Sequence, residues 1–171
     1  MAIKRKKGDK KKMYPYTNSN HQIYASELNN SNKQRKDYGP EPFVTNIERD
    51  TEGNTAFRST LWTGNHLQLT LMSIEPGEEI GLEVHPNEDQ FLRVEDGNGK
   101  VMMGDSMDDL SFEEDISEDF AILIPAGKWH NIINTGNTPL KLYSIYAPPS
   151  HPHGTHHRTK ADALAAEGEQ S

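Results

Sequence analysis

Residues 77–97 read GEEIGLEVHPNEDQFLRVEDG and residues 119–134 read DFAILIPAGKWHNIIN. Both stretches break into short β-type runs, expected at 80–85, 90–95, 120–125 and 129–134. Side chains in a strand share a face at every second residue. Glu83 and His85 therefore share one face, Gln90 shares another with Leu92 and Val94, and His130 shares a third with Ile132 and Asn134. Asp96-Gly97-Asn98-Gly99 is a strong hairpin signal between two such runs, and Pro125 with Gly127 shapes the turn that delivers His130. Asn134 closes the loop after it.

The surrounding chain continues the pattern. Strands are expected at 55–63, 66–74, 100–104 and 140–147, with an acidic loop after residue 104. In the run 66–74, Leu67, Leu69 and Leu71 alternate with Gln68 and Thr70. Nothing between residues 53 and 147 has a helical period. Evenly spaced short strands with turn residues between them point to an all-β barrel or sandwich.

Taken together the two stretches resemble the cupins, whose motifs are written G-x5-H-x-H-x4-E-x6-G and G-x5-P-x-G-x2-H-x3-N. The spacing is kept throughout, from Gly77 through Glu83, His85 and Gln90 to Gly97, and from Asp119 through Pro125, Gly127 and His130 to Asn134. Three residue types depart: the first His is Glu83, the Glu is Gln90, and the opening Gly of the second motif is Asp119. The resemblance implies an all-β fold, a single cupin double-stranded β-helix or jelly-roll-like barrel over residues 53–148. Residues 1–20 are expected to be a disordered tail, 21–52 an irregular N-terminal arm broken by Pro40 and Pro42, and 149–171 a His/Pro-rich arm with a short helix. That helix is marked by a capping arrangement at Thr159 to Asp162 and is too short to stand without docking on the barrel.

The resemblance also implies a metal pocket built by Glu83, His85, Gln90 and His130. Its usual set is three imidazoles and one carboxylate. Here the carboxylate has moved from the fourth position to the first while its number stays at one, so a divalent ion would keep a net charge of about +1. Imidazole and oxygen donors without sulfur suit Mn, Fe, Co, Ni or Zn. The alternative is a metal-free barrel in which Glu83 is balanced by a protonated His85 or His130. Four further histidines, His151, His153, His156 and His157, fall in a proline-flanked segment read as an extended, exposed arm, with a possible use as a lid.

Composition excludes several classes. The chain has 171 residues and no cysteine, which removes disulfides and thiolate metal sites. No apolar run is long enough to span a membrane, and the basic start lacks the apolar segment of a secretory signal, so a cytoplasmic location is expected. The first twelve residues carry seven basic side chains and one acid, yet the whole chain has a net charge of −8. A basic tail on an acidic body argues against a nucleic-acid-binding domain.

The function expected is that of a metal-binding cupin acting on a small polar molecule. Sugar or sugar-acid isomerisation leads, in the manner of proteins labelled mannose-6-phosphate isomerase-like, and Glu83 is the candidate acid–base residue. The alternatives are a cupin dioxygenase and a non-catalytic small-molecule or metal-binding module. A homodimer is expected, with Phe91, Trp129 and Ile133 on the faces turned away from the pocket.

Overall fold

The structure, a computed structural model, describes residues 36–168. The expectations for residues 1–20 and 21–35 lie outside the described residues.

Ten strands form two sheets. In chain order they are β1 (Arg58–Thr63), β2 (Gln68–Ile74), β3 (Glu83–Val84), β4 (Asp89–Asp96), β5 (Asn98–Gly104), β6 (Phe112–Ser117), β7 (Ala121–Ile124), β8 (Trp129–Asn134), β9 (Leu140–Ala147) and β10 (His156–His157). One sheet has the order β10-β1-β2-β9-β4-β7 and the other β3-β8-β5-β6, with all pairs antiparallel. The fold is the all-β barrel expected, and among the described residues the helices lie at its flanks: α1 (Ile47–Glu52) and α2 (Lys160–Gly168).

Register decides where the barrel is oily and where it is polar, because residues paired across antiparallel strands share a face. Across β2, β9 and β4, the rows Met72–Leu142–Val94 and Ile74–Leu140 are apolar. They join Leu92 and Ile132 in the core, and all of these are buried to 1% exposure or less. Each such side chain contributes roughly 1.5–3 kcal/mol on burial. One end of the same face reads Thr63–Gln68–Tyr146–Gln90–Ile124 instead. In β2 it is thus the Gln68/Thr70 face that turns inward, while Leu67 and Leu69 face out.

Three features differ from the sequence reading. Residues 47–52 are helical because Asn46 accepts a hydrogen bond from the Arg49 amide at 3.0 Å, capping a turn with Glu48 and Asp50 at its start. The acidic loop contains β6, an edge strand paired with β5 along its whole length. Only Ile116 of β6 is buried, so alternation is hardly visible in its sequence. The histidine-rich arm, expected to be extended and exposed, is pinned: β10 pairs with β1, and the buried Gln68 amide both donates to the His151 carbonyl (2.7 Å) and accepts from the His151 amide (2.9 Å).

The C-terminal helix docks on the barrel, one of the two outcomes open to so short a helix. Thr159 and Asp162 cap one another, with Thr159 N donating to Asp162 Oδ2 and Asp162 N donating to Thr159 Oγ1. Ala163 reaches the hydrophobic core.

Candidate metal centre

Glu83 on β3 pairs directly with His130 on β8, and His85 follows two residues later on the same side. The turn at Gly127 ties this corner together, its amide donating to the His85 carbonyl at 2.8 Å. The result is a group of three side chains whose Glu83, His85 and His130 donor atoms all lie within 4.8 Å of one another. Glu83 Oε1 is 3.3 Å from His85 Nε2 and 3.3 Å from His130 Nε2.

His130 is completely buried. Its Nδ1 lies 2.9 Å from the Lys128 carbonyl, an acceptor only, so Nδ1 carries a proton, and in the neutral ring Nε2 is the nitrogen that offers a lone pair. The approach of Nε2 to Glu83 lies off the line a hydrogen bond requires, leaving this buried nitrogen without a hydrogen-bond partner. Burial by itself would raise the Glu83 pKa. His130, His85 and Arg58 more than offset it and hold the carboxyl well below the usual carboxylate range. His85 Nδ1 meets Ser150 Oγ at 3.4 Å, and its ring stands edge-on to Tyr146, 5.3 Å between centroids.

Gln90, the fourth motif residue, is buried on β4 beside Tyr146 in the same row. Its amide nitrogen donates to Ser144 Oγ at 2.9 Å, which leaves Oε1 buried with no partner. Glu83, His85 and His130 bring together one carboxylate and two imidazoles, a donor set that suits a divalent ion and could hold one.

Several pocket residues lie outside the two motifs. Arg58 of β1, 2% exposed, places Nη2 3.7 Å from Glu83 Oε2 and Nη1 3.2 Å from Glu167 Oε1. A cavity of about 230 Å³ is walled by Arg58, Glu83, His85, His151, Thr155 and Glu167, among others. His151 stands edge-on to Tyr146, centroids 5.0 Å apart. Burial, followed by the nearby Arg58 charge, pushes its pKa down to about 3. The counter-charge to Glu83 thus includes a guanidinium, where the sequence pointed to protonated histidines. One signal for Arg58 was available: it is a charged residue in RSTLWT, a strand otherwise made of small and apolar residues.

Residues 70–146 match the cupin domain family. The uncharacterized protein YrkC of Bacillus subtilis is 63% identical over 142 residues, covering 83% of this chain and 76% of that one. The chain belongs to the cupin superfamily. A crystal structure of BH2720 from Bacillus halodurans is 67% identical to this cupin, with a TM-score of 0.76 over 76% of this chain and 98% of that one. Uncharacterized protein L612 of Acanthamoeba polyphaga mimivirus is 42% identical over 113 residues, 66% of this cupin and 69% of that protein. No helix among the described residues is long and apolar enough to cross a membrane.

Proposed function

We propose that Glu83, His85 and His130 ligate a divalent metal ion, with the Gln90 amide oxygen as fourth donor, and that the site isomerises a small sugar or sugar acid. One observation carries the metal assignment. His130 Nε2 faces the ionised Glu83 Oε1 at 3.3 Å in a contact poorly aligned for a hydrogen bond. The pair is stable only with positive charge between the two atoms, and a bound divalent ion supplies it. A protonated His130 is the competing source, and metal analysis of the purified protein separates the two. A 3.3 Å separation would let both atoms reach one ion, since metal bonds to nitrogen and oxygen are about 2.0–2.2 Å long.

When bound, the ion supplies a Lewis acid that polarises a substrate carbonyl. The residues around it do the rest. Glu83 ligates through Oε1 and keeps Oε2 turned toward Arg58, where it is available to move a proton between neighbouring carbons. Ser150 and Tyr146 set the His85 ring. Arg58, Glu83, Ser150 and Glu167 in the cavity wall offer hydrogen-bond partners to a hydroxylated molecule. A homodimer in the cytoplasm belongs to the same proposal, supported by the partly exposed Phe91, Trp129 and Ile133 on the faces turned away from the pocket.

The second reading rests on the triad itself, because two histidines and one carboxylate are also the ligand set of non-haem iron oxygenases. The two separate in one experiment. Protein loaded with Mn(II) or Fe(II) is incubated in D2O with a panel of aldoses, ketoses and hexuronates. Deuterium appearing beside the carbonyl without oxygen consumption supports isomerisation. Oxygen uptake with Fe(II) and no exchange supports the oxygenase. Metal binding with neither points to a non-catalytic module and overturns both.

A further inference from the structure

Arg58 has two carboxylates nearby but few hydrogen bonds for a buried guanidinium. Burying a guanidinium is costly unless acceptors surround it, and its five N–H donors call for several. Among the described residues its side chain makes one hydrogen bond, Nη1 to Glu167 Oε1 at 3.2 Å. Nε is buried with no partner, and Nη2 is 3.7 Å from Glu83 Oε2, beyond hydrogen-bonding reach. That partner, Glu167, lies at the end of α2 with its side chain 59% exposed. Arg58 and Glu167 both line the cavity that Glu83 and His85 open into.

We infer that Arg58 anchors the carboxylate of a small hydroxy acid in this cavity, and that Glu167 is a resident carboxylate which yields that anchor to the ligand. The inference rests on the cavity's being the substrate site and narrows the substrate to a sugar acid. A planar carboxylate can engage Arg58 through two parallel N–H bonds, which one oxygen of Glu167 does not do here. Charge fits a monoanion: one guanidinium, two carboxylates and a divalent ion leave a single positive charge to neutralise. A phosphate dianion overshoots this, and a neutral sugar leaves it unmet. The volume of about 230 Å³ falls below the ~300–1,000 Å³ of drug-sized sites, which suits a monosaccharide acid.

The test uses the full chain with its metal content measured beforehand. D-Glucuronate is the probe and D-glucose its neutral counterpart. Affinities are measured by calorimetry on wild type, Glu167→Gln and Arg58→Lys, and the Arg58 Nε–Hε resonance is followed by 15N NMR. Glucuronate should move that resonance, and glucose should not. Glu167→Gln, which removes the competing charge but keeps the side chain's size, should bind glucuronate about 5–10-fold more tightly, on the order of 1 kcal/mol. Arg58→Lys should bind it about tenfold more weakly, since an ammonium lacks the fork. Should Arg58→Lys fail to fold, Glu167→Gln and the resonance decide alone. Unchanged or weaker glucuronate binding in Glu167→Gln, an unmoved resonance, equal binding of glucose, or no glucuronate binding to any of the proteins overturns the inference. Carboxylate-selective binding without deuterium exchange leaves this inference standing and ends the isomerase reading. Exchange on neutral sugars with no preference for glucuronate does the reverse.

Discussion

Asp119 stands where the cupin motif has glycine, and its backbone has φ 74°, the one positive φ at a non-glycine position among the described residues. Aspartate is among the few residues that tolerate this region at modest cost, and here its carboxylate also accepts from Arg93 Nη2 at 2.6 Å. Gly97 shows the stricter case. At φ 94° a Cβ there would meet Leu140 Cα at 2.9 Å and the Pro139 carbonyl at 2.9 Å. The motif departure at 119 is therefore a substitution the backbone accepts, whereas 97 must stay glycine. Asp119→Gly should leave stability within about 1 kcal/mol of wild type, because relief of the backbone offsets an exposed ion pair of small value. Asp119→Val should cost about 1–2 kcal/mol. Thermal unfolding of both checks this, and equal melting temperatures for glycine and valine variants would contradict it.

At the scale of elements, what was legible followed the two motifs. β8 and β9 fall at 129–134 and 140–147 as read, because each carries clean alternation between clear turns. β6 was missed because an edge strand with one buried residue needs no apolar face, and its acidic side chains also discourage pairing with another edge. The arm after β9 was misread because proline and histidine say little about burial. What orders it is the Gln68 amide, 83 residues earlier. Only a known register could have joined those positions. The arm carries a pH consequence. Folded His151, with its pKa pushed down to about 3 from 6.5, stays neutral where the unfolded chain binds a proton. The unfolded state thus holds more protons between those values, and stability falls as pH drops below 6.5, by at most about 1.4 kcal/mol per unit. His157, also lowered by burial and then by Arg58, adds in the same direction. Between pH 7 and 5.5, above the range where carboxylates titrate, His151→Gln should lose less melting temperature than wild type by roughly 2–4 °C. Parallel pH curves for the two proteins would show that His151 does not carry the effect.

Across the whole molecule, the barrel separates an apolar end from a polar one along the same strands. β9 shows it most plainly, with Leu140 and Leu142 in the core, then Ser144 and Tyr146 toward the site. The all-β fold was readable from strand period, and the convergence of Glu83, His85 and His130 from the resemblance to the cupin motifs, which implies how the strands pair. Glu167 and His151 were not readable, and Arg58 showed only as a charge in an otherwise uncharged strand, because tertiary packing brings β1, α2 and the arm to the cavity. The account's central claim is that the cavity floor is a metal site in which Glu83 holds the anionic role. Dissociation constants for Mn(II) and Zn(II), measured by calorimetry on wild type, Glu83→Gln and Gln90→Ala, test it most directly. Glu83→Gln leaves only neutral donors around the ion and should weaken binding by about 100-fold or more, beyond what loss of an outer hydrogen bond costs. Gln90→Ala removes a weak neutral donor that water can replace and should cost no more than about tenfold. If Glu83→Gln binds both metals as tightly as wild type, Glu83 is not a ligand and the claim fails.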